Sequence, residues 1–122
     1  MAGKTILLVE DNVTMRGVLE FIVTSGGYKV VGEASNGFDA VTKFEQLRPD
    51  LCIVDIKMPG MDGIETTKAI KEIDSSALIV ICSSNAEQHL VYESMQAGAI
   101  DFIRKPFSEK GILETVEKVL GC

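Results

Sequence analysis

Five short apolar runs alternate along this chain with five stretches whose apolar residues recur at helical spacing, and nothing else narrows the fold as much. Thr5 to Val9 reads as a buried strand, and Asn12 can cap the helix that follows, which carries Met15, Val18, Leu19 and Ile22 on one face until Gly26-Gly27 stops it. Lys29 to Ala34 is a second strand, closed by Asn36-Gly37, and Ala40, Val41, Phe44 and Leu47 mark a second helix that Pro49 breaks. Leu51 to Asp55 is a third strand, and after the Met58–Gly63 turn Ile64, Thr67 and Ile70 predict a third helix. Leu78 to Cys82 is a fourth strand, Glu87 to Ala97 a fourth helix with Gly98 just past its end, and Asp101 to Arg104 a short fifth strand. Ser108 caps a last helix with the stripe Ile112, Leu113, Val116, Val119 and Leu120, which Gly111 weakens by no more than about 1 kcal/mol.

Such alternation predicts a mostly parallel sheet with helices on both faces, and right-handed crossovers leave few ways to wind it. With 122 residues, 46% of them hydrophobic, the chain can bury one sizeable core, and no linker-like stretch divides it. Its N-terminal apolar run, Ile6 to Val9, is too short for a signal-peptide core or a membrane span, so a cytoplasmic protein without a membrane partner is expected. A net charge of −6 argues against a nucleic-acid surface, which needs clustered lysine and arginine. Cys52, Cys82 and Cys122 lack metal-site or disulfide-framework spacing, and the first two lie inside apolar runs as reduced core residues would. The only histidine, His89, stands in a polar stretch and reads as exposed.

In a parallel sheet all strand ends meet on one edge, outside which open α/β sheets place their chemistry. That edge collects Glu10 and Asp11, then Asp55, then Ser83 and Ser84, then Lys105. Taken alone, Asp55 suits a reactive group and a solvated loop acid or helix cap about equally. Three converging carboxylates, however, repel one another unless a cation joins them or their pKa values rise. Mg²⁺ fits such a set best, being a hard ion that takes oxygen ligands and keeps several waters. With a lysine and a hydroxyl on the same edge, the set suits phosphoryl transfer onto a carboxylate nucleophile. No Gly-rich nucleotide loop is present, so ATP is not the evident donor.

These motifs, taken in order, resemble the receiver domain of bacterial two-component response regulators, most closely its stand-alone, CheY-like members. The likeness rests on Val9-Glu10-Asp11, on Asp55 with Met58-Pro59-Gly60-Met61-Asp62-Gly63, on Ser83-Ser84, on Ala97-Gly98-Ala99 and on Lys105-Pro106-Phe107. The resemblance implies a flavodoxin-like (βα)5 fold with strand order 2-1-3-4-5, and a single receiver domain over 1–122 with no output domain after Cys122. It implies Asp55 as phosphoacceptor and Mg²⁺ held by Asp11, by Asp55, by Glu10 mainly through water, and by the backbone carbonyl of Lys57. Lys105 and the Ser83 hydroxyl would bind the phosphoryl oxygens, and the Lys105–Pro106 bond would be cis. Ser83 and Phe102 would form the switch, and Lys57 and Asn85 would tune the phosphate lifetime.

The implied activity is a phosphorylation-activated signalling switch rather than an enzyme acting on a separate substrate, in chemotaxis or a related pathway. Its partners would be a sensor histidine kinase or histidine phosphotransfer protein, a downstream protein target and a phosphatase. Docking would use the fourth helix, fifth strand and fifth helix, where Val91 and Met95 lie four residues apart beside Phe102. Core packing explains Val91 and Met95 equally well. Two rival readings are a haloacid-dehalogenase-like hydrolase and a flavodoxin-like binding protein. The first places a second acid two residues after its nucleophile, where this chain has Lys57; the second needs a phosphate-cradling loop that the sequence lacks.

Overall fold

The computed structural model describes residues 3–121, so Cys122 and the first two residues lie outside it. Ten elements alternate: β1 (Thr5–Val9), α1 (Val13–Ser25), β2 (Lys29–Ala34), α2 (Gly37–Leu47), β3 (Leu51–Val54), α3 (Gly63–Ile73), β4 (Ile79–Ser83), α4 (Gln88–Ala97), β5 (Asp101–Arg104) and α5 (Glu109–Leu120). The strands form one parallel sheet in the order β2-β1-β3-β4-β5. The flavodoxin-like order expected from the resemblance is therefore the order found.

Side-chain alternation along the central strands divides the interior into two layers. Leu7, Val9, Cys52, Val54, Ile79 and Ile81 face Ala40, Phe44, Ile64, Ile70 and Ala97 of α2, α3 and α4. Ile6, Leu8, Leu51, Ile53, Val80 and Cys82 face Leu19, Ile22, Val23, Ile112 and Val116 of α1 and α5. Each fully buried Leu, Ile or Val contributes about 1.5–3 kcal/mol of transfer free energy, so the two layers hold the sheet from both sides. Cys52 and Cys82 are free and buried, and burial pushes both thiols up to about 12, which leaves them inert packing groups.

Small departures from the expected boundaries have local causes. Val18 is exposed although it falls at the spacing of Leu19 and Ile22. It lies about 100° around the helix from Leu19, and Val23 takes the inward position instead. Leu47 is partly exposed, yet its methyl group packs on Gly32, where any Cβ would meet it at 2.6 Å. The fourth strand runs one residue later than expected, so Ser83 ends it, and the fourth helix starts at Gln88. His89 is exposed, beside Glu87. Among the described residues, no helix is long and apolar enough to cross a membrane.

Candidate functional site

The strand order reverses direction between β1 and β3, where α/β sheets open a crevice at their carboxyl ends. Backbone ladders extend past the strands and carry the candidate residues to this edge. Glu10 N–H donates to Ala34 O at 3.0 Å, Asp55 N–H to Val9 O at 2.9 Å, and Lys105 N–H to Ser83 O at 3.0 Å. Glu10, Asp11 and Asp55 thereby offer carboxylate oxygens that all lie within 4.8 Å of one another. Glu10 and Asp55 are buried, whereas Asp11 is exposed.

Lys105 reaches into this group from the far side. Its Nζ donates to Glu10 Oε1 at 2.7 Å and stands 3.5 Å from Asp55 Oδ2, with only 13% of its side chain exposed. Burial alone would lower the ammonium pKa, but the Glu10 hydrogen bond and the charge of Asp55 raise it above its ordinary value. Lys105 is therefore firmly charged. Glu10 moves up as well, chiefly because burial disfavours its charge; the Lys105 hydrogen bond opposes the rise and the Asp55 charge adds to it. One buried lysine does not compensate several converging acids, and the set retains a demand for a further cation. The donors are hard oxygens, two of them buried, which suits Mg²⁺ and not a soft metal. Glu10, Asp11 and Asp55 would hold it.

The remaining candidates ring this group in different ways. Ser83 is buried at the end of β4, and its Oγ accepts from Asn85 N–H at 3.2 Å, so its own proton is available for an anion. Asn85 and Lys57 are both exposed on the loops after β4 and β3. The Lys105–Pro106 bond is cis. Phe102, on the edge strand β5, is half-buried and packs against the layer under α4.

Two residues shape the site in ways that their sequence context does not show. Gly63 N–H donates to Ile56 O at 2.8 Å, and a Cβ at Gly63 would lie 2.2 Å from Asp55 O, so only glycine lets α3 start this close to the end of β3. Arg16 Nη1 donates to Glu10 O at 2.8 Å while its Nε meets Glu33 Oε1 at 3.0 Å. Gly63 was visible as part of the turn motif. Arg16 carries no such signal, because nothing local in the chain pairs it with Glu10 or Glu33.

Near α4, the two alternatives for Val91 and Met95 separate, and further apolar residues are exposed beside them. Val91 is half-buried and Met95 is 41% exposed, and Tyr92 at 64% and Ile100 at 46% join them. On α1, Phe21 is 70% exposed beside a shallow hollow formed with Gly17, Glu20, Thr24 and Ser25.

Comparison with known proteins points to one family. A family model described as the response regulator receiver domain matches residues 6–117. The chemotaxis protein CheY of Thermotoga maritima is 46% identical over 117 residues, covering 96% of this chain and 98% of that protein. CheY of Bacillus subtilis is 46% identical over 116 residues, covering 95% and 97% of the two chains. Among solved structures, a chain of the CheX-CheY-BeF3-Mg complex from Borrelia burgdorferi superimposes with a TM-score of 0.92 at 33% identity, over 94% of this chain and 87% of that one.

Proposed function

This chain belongs to the response regulator receiver family, and from that premise we propose that it is a phosphorylation-activated switch which accepts a phosphoryl group on Asp55 from a phosphohistidine. The observation that carries this reading is the convergence of Glu10, Asp11, Asp55 and the Lys105 ammonium on one sheet edge. A carboxylate oxygen of Asp55 attacks the phosphorus, the P–N bond to the donor histidine breaks, and an aspartyl-phosphate results. Mg²⁺, when bound, supplies neutralisation of charge on the phosphoryl oxygens. Glu10, Asp11 and Asp55 would hold it, and the Lys57 carbonyl would complete the ligand set. Lys105 turns from Glu10 and Asp55 toward the new phosphoryl oxygens, and the Ser83 hydroxyl donates to another.

The same reading makes 1–122 one receiver unit that catalyses only its own phosphorylation and dephosphorylation. It works in the cytoplasm, between a histidine kinase or phosphotransfer protein and a downstream target, with a phosphatase to reset it. The likeness to the CheX-CheY complex and to CheY relatives supports a chemotaxis-like setting. On phosphorylation Ser83 moves inward and Phe102 follows it, changing the surface formed by α4, β5 and α5, where the target docks. Lys57 and Asn85 flank the approach of the hydrolytic water, so Lys57→Asn changes the decay rate of the phosphoryl group; an unchanged rate removes that role.

Chemical mapping tests the acceptor directly. After acetyl phosphate and Mg²⁺, borohydride reduces an acyl phosphate to the alcohol, so peptide mapping should find homoserine at position 55. Reduction at another acid, or at none, would contradict the assignment.

A further inference from the structure

We infer that Arg16 is a positioning residue for the Mg²⁺ site proposed above: its guanidinium fixes the Glu10–Asp11 peptide so that Asp11 faces Asp55. The inference rests on that reading of the acid group. Asp11 is exposed, and among the described residues no side-chain hydrogen bond holds its carboxylate, so its place depends on its backbone. That backbone is gripped at two points. Glu10 N–H is bound by Ala34 O of β2, and Glu10 O receives Arg16 Nη1 at 2.8 Å. The other arm of the fork, Nε, is anchored 3.0 Å from Glu33 Oε1. Glu33 is itself fixed in β2, opposite Leu8 of β1, and its carbonyl receives the Lys43 ammonium.

Only a planar fork with divergent donors spans these two acceptors; a lysine is a point charge and satisfies one at a time. Arg16 thus ties the loop after β1 to the neighbouring strand. Its side chain is 20% exposed and that of Glu33 33%, so the pair itself adds little to global stability. Its effect should fall on the pocket.

Charge and positioning predict opposite signs. As a mere cation near three acids, Arg16 would repel Mg²⁺, and its removal would tighten binding. As a positioning residue, its removal weakens binding by about tenfold, the low end for groups that orient metal ligands. The test is calorimetric titration of Mg²⁺ into wild type, Arg16→Ala and Arg16→Lys, with thermal unfolding in EDTA to confirm the fold. Both variants should bind Mg²⁺ more weakly than wild type while unfolding at nearly the same temperature. The lysine variant keeps the charge and the fold, so it decides the matter if Arg16→Ala does not fold. Full affinity in Arg16→Lys, or unchanged or tighter binding in Arg16→Ala, would overturn the inference and leave the receiver reading intact. A wild type that binds no Mg²⁺ would overturn both.

Discussion

Glu10 sits between opposing demands: its carboxylate is almost fully buried, touches the Lys105 ammonium at 2.7 Å, and shares the pocket with Asp55. Burial, the largest influence, raises its pKa above the ordinary 4.5, with the lysine pulling it down and Asp55 pushing it up. Between 4.5 and that raised value, the folded protein keeps a proton that the unfolded chain has released. Stability from this site is therefore present below the unfolded value and is lost as pH rises through the folded one. In Mg²⁺-free buffer, wild type should lose ground against Glu10→Gln in melting temperature as pH climbs from 4.5 toward neutrality. A gap that stays constant or moves the other way would mean that the Lys105 pair, not burial, dominates at Glu10. The same excess of negative charge is what makes the pocket receptive to a divalent ion.

The helices differ most at their N-termini, and α4 is the outlier. Asn12, Asn36 and Ser108 cap α1, α2 and α5 with side-chain oxygens, and Asp62 with Glu65 forms a reciprocal capping box on α3. At α4 the capping position is Glu87, which makes no side-chain cap bond, and a missing cap costs about 1 kcal/mol. This weakly terminated helix is also the one bearing exposed Tyr92 and Met95, next to Ile100. Amide hydrogen exchange should be faster in the first turn of α4 than in those of the other helices. On phosphorylation, the largest change in exchange should fall on α4 and β5. Uniform exchange across the helices, or a change confined to α1 and α2, would move the docking surface elsewhere. The caps at Asn12 and Ser108 were legible in the sequence because each precedes an apolar stripe at helical spacing. The Asp62-x-x-Glu65 box was equally visible but was absorbed into the turn after Asp55, and Tyr92 was hidden because periodicity shows which residues can face the core, not which surface is left open.

Over the whole molecule, the strand order β2-β1-β3-β4-β5 sets β1 beside β3 at the point where the winding reverses. That single fact brings Glu10 and Asp11 to Asp55, more than forty positions away in the chain, and β5 then delivers Lys105 from the opposite side. Alternation of strands and helices made the parallel sheet legible, and the acids at the strand ends made the edge legible. Strand order was not readable from the pattern, because parallel crossovers of similar length permit several windings; it came from the resemblance. The contacts of Arg16 and Gly63 were unreadable for the related reason that each depends on which strands become neighbours. Phosphoryl acceptance at Asp55 is read most directly by intact mass after treatment with acetyl phosphate, on wild type and Asp55→Asn, with Mg²⁺ and with EDTA. Wild type with Mg²⁺ should gain one phosphoryl group, with no gain in EDTA and none in Asp55→Asn. A wild type that binds Mg²⁺ but gains no mass, or an Asp55→Asn variant that gains it as readily, would contradict it.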